Sequence, residues 1–164
     1  MKTIIGVMGG STVSDTTLAQ ARLLGRLIAE EGWVLLNGGR DTGVMAASAA
    51  GANAAGGLVV GVLPDSDRRG VASGIDLAIL TGMGEARNVI NVLSSHVVIA
   101  LEGGTGTISE VAHALSHSRP VITLGLRLDG LFAEHRASGL LAAADSPAHA
   151  IELARRLVRL SDMR

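Results

Sequence analysis

The chain has 164 residues, and its 14 Lys and Arg against 15 Asp and Glu give a formal net charge of −1. It contains no Cys and no Tyr, which excludes disulfides, thiolate nucleophiles and Cys-ligated metal centres. Its one lysine is Lys2 and only 1% of its residues are aromatic, so a P-loop lysine and nucleic-acid binding are both disfavoured.

The length fits one domain over residues 1–164, large enough to bury a core. Hydrophobic residues make up 48% of the chain, which argues against disorder. The apolar runs are too short to cross a membrane, and the N-terminus lacks the layout of a signal peptide. We therefore expect a cytoplasmic protein without a membrane partner.

Apolar runs and helical patterns alternate along the chain. In order they predict a strand at 4–8, a helix at 17–31, a strand at 33–36, a helix at 44–55 and strands at 58–63 and 77–80. A helix at 85–94, a strand at 96–101, a helix at 107–117, a strand at 121–124 and a short edge strand at 140–143 follow. The last helix begins at Ser146 and Pro147 and extends to about residue 160. In the helix at 85–94, we expect the apolar residues to face inward: Ala86, Val89, Ile90 and Leu93.

Nearly continuous apolar strands separated by helices are typical of a parallel sheet that is covered on both faces. The predicted fold is therefore α/β, a doubly wound, mostly parallel sheet of the Rossmann-like type. Such sheets bind ligands in the loops that follow the strands, near the point where the strand order reverses.

The strongest motif is the Gly-rich run at 102–110, which follows a strand and opens a helix. Glycines let backbone amides approach an anion, and a helix N-terminus adds positive potential. A structural alternative is a capping box, in which Thr107 begins the helix and Glu110 bonds back to it.

Two further Gly-containing loops also lie between a strand and a helix. The loop at 37–43 contains Arg40, which could neutralise an anionic ligand or simply sit exposed on a tight turn. The loop at 81–88 contains Arg87, which could bind the same ligand or lie on the surface. Asn88 follows Arg87 on the polar side of that helix.

Other chemistries fit the sequence less well. In a dinucleotide fingerprint the third glycine would be Ser109, and the second strand ends at Asn37 with no acidic residue placed for a ribose. Glu110, His113 and His117 share one helical face, but matching metal-binding motifs on other helices are missing. A Ser–His–Asp triad lacks the Gly-x-Ser-x-Gly turn that usually carries its nucleophile. We therefore expect no protein-bound metal.

The Gly-Gly-x-Gly-Thr-x-x-Glu run at 103–110, together with Arg87-Asn88, resembles the LOG-like Rossmannoid superfamily. The runs Ile-Gly-Val-Met-Gly at 5–9, Leu-Leu-Asn-Gly-Gly-Arg at 35–40 and Gly-Val-Leu-Pro at 61–64 make it most similar to the molybdenum cofactor carrier proteins. This resemblance implies a ligand that is phosphorylated, nucleotide-like and anionic, either molybdenum cofactor or a related compound. It also implies a homo-oligomer (dimer or tetramer), with molybdoenzymes or cofactor-synthesis proteins as partners.

By this resemblance the ligand-binding residues are Gly9, Gly10, Gly38, Gly39, Arg40, Gly43, Thr81, Gly82, Arg87, Asn88, Gly103, Gly104, Thr105, Gly106, Thr107 and Glu110.

The same superfamily includes phosphoribohydrolases that cleave nucleoside 5′-monophosphates, and in that activity Arg87 and Glu110 would be the catalytic residues. However, those enzymes usually have Pro where this chain has Glu102 and Lys where it has Asn88. The differences favour binding over catalysis. A nucleotide sensor without turnover is a third interpretation.

Overall fold

The computed structural model describes residues 1–162. The seven predicted strands are present, helices lie at the five predicted places, a sixth α-helix is added, and most bounds agree within two residues. The elements are β1 (Ile4–Met8), α1 (Asp15–Glu30), β2 (Val34–Asn37), α2 (Gly43–Ala54), β3 (Val59–Leu63), β4 (Leu77–Leu80), α3 (Asn88–Leu93), β5 (Val97–Leu101), α4 (Thr105–Ser116), β6 (Val121–Leu124), α5 (Ala133–Ala137), β7 (Leu141–Ala144) and α6 (Pro147–Asp162).

All seven strands pair in parallel, in the order β4-β3-β2-β1-β5-β6-β7. The predicted doubly wound α/β fold is therefore confirmed. The chain extends the sheet in one direction from β1 to β4 and in the other from β5 to β7, so the strand order reverses between β1 and β5. The carboxyl ends of these two central strands meet at the reversal, where such sheets bind ligands.

Two apolar layers hold the helices on the sheet. One packs α1, α2 and α6 against the first face through side chains such as Leu24, Val44 and Ile151. The other packs α3 and α4 against the second face through Val92 and Leu115. Small residues bring α1 and α2 into close contact, because a Cβ atom at Gly25 would overlap the Ser48 carbonyl oxygen. The scarcity of aromatic side chains thus matches thin, closely packed layers.

The predicted helix at 85–94 is the clearest departure from the sequence analysis. It is divided into a 3-10 turn (Gly84–Arg87) and the short helix α3. In α3 the buried residues are Asn91 and Val92, and Leu93 is exposed. Of the residues expected to face inward, Ile90 packs against the second apolar layer, whereas for Leu93 the expectation is wrong. A 3-10 turn has about three residues per turn instead of 3.6, which rotates the following residues relative to a continuous α-helix.

The sequence pattern did not predict α5, which is a short helix that begins after Phe132, a residue with a left-handed backbone conformation. Within residues 1–162, no helix is both long enough and apolar enough to span a bilayer.

Candidate functional site

A cavity of about 310 Å³ opens at the reversal of strand order. Its walls come from the loops after β1, β2 and β5, from the first turn of α4 and from the 3-10 turn before α3. The lining residues are Val7, Met8, Gly9, Gly10, Ser11, Gly38, Met45, Glu85, Arg87, Asn88, Gly104, Thr105, Gly106, Thr107 and Glu110. Ten of the sixteen residues predicted for the site are in this set.

Backbone hydrogen bonds join the strand-end loops into one surface. The Gly10 amide donates to the Glu102 carbonyl oxygen at 2.8 Å, and the Val44 amide donates to the Gly10 carbonyl oxygen at 3.1 Å. Glycine is needed at these crossings, since a Cβ atom at Gly43 would overlap the Gly10 carbonyl. The loops after β1, β2 and β5 are therefore fixed relative to one another.

The glycines of the 103–106 run have two different roles. A Cβ atom at Gly103 would overlap the Thr107 hydroxyl and press on the Gly10 amide, so Gly103 permits a close contact within the protein. A Cβ atom at Gly104 or Gly106 would meet nothing within 4 Å. Packing within the chain does not require glycine at these two positions. Both line the cavity, so their missing side chains leave room for a ligand to reach the backbone.

The N-terminus of α4 presents donors beside this open space. The first bond along the helix is donated by the Ile108 amide to the Gly104 carbonyl oxygen at 3.1 Å. The amides of residues 105–107 consequently have no acceptor within the helix. Gly104 is the N-cap and provides no capping side chain, so the positive end of the helix remains available to an anion.

The capping-box interpretation of Thr107 and Glu110 is wrong. The helix begins at Thr105, which places Thr107 inside the first turn. Glu110 accepts a hydrogen bond from the Asn91 side chain at 3.0 Å instead of bonding back to the helix start. Its carboxyl group is thereby held at the wall of the cavity.

Glu110 and Arg87 lie close enough in a buried part of the site for each to influence the pKa of the other. Burial raises the pKa of Glu110 to about 7, although the Asn91 hydrogen bond and the Arg87 charge both lower it. Burial also lowers the pKa of Arg87, and the Glu110 charge opposes that effect. A carboxyl group with a pKa near neutrality can bind or release a proton under physiological conditions.

Two polar atoms beside this pair have no hydrogen-bond partner among residues 1–162. They are the Arg87 Nε donor and the Asn91 Oδ1 acceptor, and both are buried. Buried polar groups are nearly always hydrogen-bonded, and because Arg87 lines the cavity, its Nε donor is available to a bound ligand or an ordered water. Arg87 itself lies against Gly38, where a Cβ atom would come within 2.5 Å of the guanidinium.

Glu102 is turned away from the cavity, although it precedes the Gly-rich run. Its carboxylate accepts hydrogen bonds from the Thr17 hydroxyl at 2.6 Å and the Ser14 hydroxyl at 3.0 Å. These hydroxyl donors lower the pKa of Glu102. The Glu102 carboxylate therefore stabilises the start of α1 through these hydrogen bonds and does not face an anion bound at Gly104.

Six predicted site residues lie outside the cavity wall: Gly39, Arg40, Gly43, Thr81, Gly82 and Gly103. The Arg40 guanidinium pairs with the Asp65 carboxylate at 2.5 Å and donates to the Arg69 carbonyl oxygen at 3.1 Å. The Thr81 hydroxyl donates to the Leu63 carbonyl oxygen at 2.7 Å. In this structure Arg40 and Thr81 thus hold loop backbone in place.

The cavity residues that were not predicted for the site include Ser11, Met45 and Glu85. Each is adjacent to a motif that the sequence did reveal. Ser11 follows the glycines after β1, Met45 lies in the first turn of α2, and Glu85 precedes Arg87 by two residues. Extension of a motif by one or two residues would have found Ser11 and Met45, and Glu85 already lies within the loop at 81–88.

The His117 side chain makes a local contact at the C-terminal end of α4. The His117 ring nitrogen Nδ1 lies 2.8 Å from the His113 carbonyl oxygen, near the end of the helix. In the described part of the chain, no three His, Asp or Glu side chains are grouped as a metal site would require.

The chain matches a protein-family model and is similar to proteins of known structure. Residues 2–151 match the SLOG cluster4 family. The molybdenum cofactor binding protein from Rippkaea orientalis is 48% identical, with a TM-score of 0.91 over 96% of this chain and 98% of that one. The molybdenum cofactor carrier protein from Chlamydomonas reinhardtii is 41% identical, with a TM-score of 0.88 over 97% of this chain and 99% of that one.

A more distant relative is an enzyme. The cytokinin riboside 5′-monophosphate phosphoribohydrolase of Mycobacterium tuberculosis is 34% identical over 113 residues, which are 64% of this chain and 60% of that protein. The resemblance to the LOG-like Rossmannoid superfamily is thus confirmed, and the chain belongs to the SLOG cluster4 family.

Proposed function

We propose that this protein binds molybdenum cofactor and acts as its carrier or store. The observation that carries the proposal is the geometry at the start of α4. No protein atom lies near a Cβ position at Gly104 or Gly106, and the first backbone amides of the helix have no acceptor within it. A phosphate group is the ligand that such a helix start recognises best. The two similar structures described as molybdenum cofactor proteins support this ligand over other phosphorylated compounds.

The residues of the cavity fit such a cargo. The cofactor is a phosphorylated pterin whose own dithiolene sulfurs hold molybdenum, so the protein needs to supply hydrogen bonds and positive charge but no metal ligand. Gly104, Thr105, Gly106 and Thr107 would hold the phosphate through backbone amides and hydroxyls. Arg87 would contribute the positive charge and an unpartnered Nε donor. Asn88 and Ser11 add polar groups at the same wall.

The direct test is to add cofactor released from a denatured molybdoenzyme and measure saturable binding and protection against oxidation. We expect tight binding by the wild type and at least tenfold weaker binding by Arg87→Ala, because a charge-assisted hydrogen bond contributes about 1.5–3 kcal/mol. Arg26→Ala is the matched control, since Arg26 is exposed on α1 and pairs only with Glu30 in the described chain. Equal binding by all three proteins would contradict the proposal.

A second candidate function is hydrolysis of a nucleoside 5′-monophosphate. The observation in its favour is Glu110, whose pKa of about 7 suits a group that exchanges protons during catalysis. Incubation with adenosine monophosphate followed by chromatography would then show free adenine. Loss of that product in Glu110→Gln would support the enzyme, whereas a nucleotide that binds and is recovered intact would favour a sensor.

A cytoplasmic location, a homo-oligomeric state and transfer of the cofactor to molybdoenzymes or cofactor-synthesis proteins remain predictions. Their common support is the likeness to a molybdenum cofactor carrier protein. Pull-down of molybdoenzymes with the loaded carrier, compared with the empty carrier, would test the transfer step.

A further inference from the structure

The cavity contains an acidic side chain that a purely anionic ligand would not require. Its wall has two acidic residues, Glu85 and Glu110. Glu110 is buried and accepts a hydrogen bond from the Asn91 side chain at 3.0 Å, so its carboxyl group has a partner within the protein. Glu85 is exposed, and within residues 1–162 its side chain makes no hydrogen bond and no ion pair. Glu85 is therefore the acidic group of the wall that is free to meet a ligand.

Glu85 and the proposed phosphate site belong to different walls of the cavity. The amides of residues 105–107 lie at the start of α4, after β5, whereas Glu85 lies in the 3-10 turn between β4 and α3. Burial lowers the pKa of Arg87, and the negative charge of Glu85 is among those that oppose this change, so the two side chains are close. A ligand whose phosphate binds at α4 would thus extend past Arg87 toward Glu85.

The cavity also offers surfaces for a flat ring. Its apolar lining residues are Val7, Met8 and Met45. A Cβ atom at Gly38 would come within 2.7 Å of the Met45 sulfur and within 2.5 Å of the Arg87 guanidinium, so both groups lie against the Gly38 backbone. A thioether and a guanidinium both pack favourably on planar rings. The ligand therefore has room for a heterocycle in addition to its phosphate.

A heterocycle bound here must supply hydrogen-bond donors to Glu85. Solvent satisfies an exposed carboxylate in the free protein, and a ligand that fills the cavity replaces that solvent. A carboxylate accepts hydrogen bonds and donates none, and a polar group that loses its partners on binding weakens the complex. Two donors side by side on one edge of a ring match the two oxygens of a carboxylate.

We propose that Glu85 selects the ligand by its ring, accepting two hydrogen bonds from an edge that carries a ring N–H beside an amino group. The 2-amino-4-oxo ring of a pterin and the corresponding ring of guanine have this edge. Adenine has an acceptor nitrogen in place of the ring N–H and a hydrogen in place of the amino group, so the site would reject it. This inference rests on the proposed function, because the phosphate at α4 positions the ring.

The first test compares ring edges in the wild type by equilibrium dialysis, with ribose 5-phosphate as a probe of the phosphate site alone. Guanosine monophosphate should bind about tenfold more tightly than adenosine monophosphate, which is the discrimination typical of two hydrogen bonds to one base edge. Inosine monophosphate lacks the amino group and should lie between them. Equal affinity for the three nucleotides would overturn the inference.

The second test removes the carboxylate. Glu85→Ala should bind guanosine monophosphate and released cofactor about tenfold more weakly than the wild type. Its affinity for ribose 5-phosphate should equal or exceed that of the wild type, because a negative charge has been removed. Glu134→Ala is the matched control, since Glu134 is also an exposed acidic residue in the first turn of a short helix and lies outside the cavity wall. Unchanged or tighter binding of guanosine monophosphate by Glu85→Ala would overturn the inference, since a carboxylate that only repels anions gives that result.

The failure of this inference and the failure of the proposed function give different results. A wild type that binds neither ribose 5-phosphate nor released cofactor would overturn both. Equal binding of released cofactor by the wild type, Glu85→Ala and Glu134→Ala would overturn only the role of Glu85. Tighter binding of guanosine monophosphate than of released cofactor, lost in Glu85→Ala, would support recognition of the ring edge and contradict the role of cofactor carrier.

Discussion

Gly106→Ala separates the binding role of the glycine run from its structural role. Gly106 lies in the first turn of α4, and the structure offers a new methyl group there nothing within 4 Å to strike. Alanine loses less backbone entropy than glycine on folding, so we expect the substitution to stabilise the protein by about 0.4–1 kcal/mol. For a domain of this size that corresponds to a rise in Tm of roughly 1–4 °C.

The same methyl group should weaken ligand binding, because it would occupy the space in which an anion approaches the amides of residues 105–107. Loss of one charge-assisted hydrogen bond costs about 1.5–3 kcal/mol, which is roughly a tenfold to hundredfold loss of affinity. Released molybdenum cofactor is the ligand, and binding is followed by the molybdenum retained with the protein after gel filtration.

Gly103→Ala supplies the contrast within the same run. Its methyl group would overlap Thr107 and press on the Gly10 amide, so we expect a loss of about 1–3 kcal/mol of stability from overpacking. Thermal unfolding of the two variants should move in opposite directions. Wild-type affinity in Gly106→Ala would refute anion binding at the amides of residues 105–107. A lower Tm in that variant would refute the expectation that the first turn of α4 accommodates a methyl group at Gly106.

Three further predictions concern charged residues of the site and its surroundings. The pKa of Glu110 is raised from the usual 4.5 to about 7, so the folded state loses stability as pH rises between these values, by at most about 3 kcal/mol at 1.36 kcal/mol per pH unit. In urea unfolding, Glu110→Gln should therefore be more stable than the wild type at pH 8 but not at pH 4. An equal difference in stability at both pH values would contradict this expectation. Glu102 has a lowered pKa, so its stabilising effect is present above the pKa of the unfolded state and is lost as pH falls through the pKa of the folded state. Glu102→Gln should therefore lower the Tm at pH 7 and lower it less in acid. An unchanged Tm at pH 7 would refute the role of the Glu102 hydrogen bonds. Arg40 pairs with Asp65, so Arg40→Ala should leave cofactor affinity within about twofold of wild type and make the loop at 64–71 more accessible to protease. A loss of affinity as large as that of Arg87→Ala would show that Arg40 also contacts the ligand.

The strand and helix pattern of the sheet could be predicted from sequence because its signals are local. Residues 97–101 form an uninterrupted apolar run, and they form the fully buried central strand β5. Ser146 and Pro147 predict the start of a helix, and the Ser146 hydroxyl accepts the His149 amide at 3.2 Å. Such signals require no knowledge of the rest of the chain.

The orientation of α3 could not be predicted, because it depends on contacts that are distant in sequence. Asn91 is turned inward, where it donates to Glu110, a residue 19 positions away. Leu93 is then exposed, while Ile90 stays half-buried against the second apolar layer. Hydrophobic periodicity identifies the apolar face of a helix, but it does not say whether that face meets the same chain or another one.

The site itself was predictable in outline, because glycines after strands reveal where backbone approaches a ligand. The role of each arginine was not, since Arg40 and Arg87 both follow such glycines. Only the structure shows that Arg40 pairs with Asp65 while Arg87 lies at the cavity beside Glu110.

Mass spectrometry and metal analysis of the small molecules that co-purify with the wild type and with Arg87→Ala test the central claim most directly. The account predicts a phosphorylated pterin together with molybdenum in the wild type, and a large loss of both in Arg87→Ala. A nucleoside monophosphate in place of the pterin, or a pterin retained equally by both proteins, would contradict it.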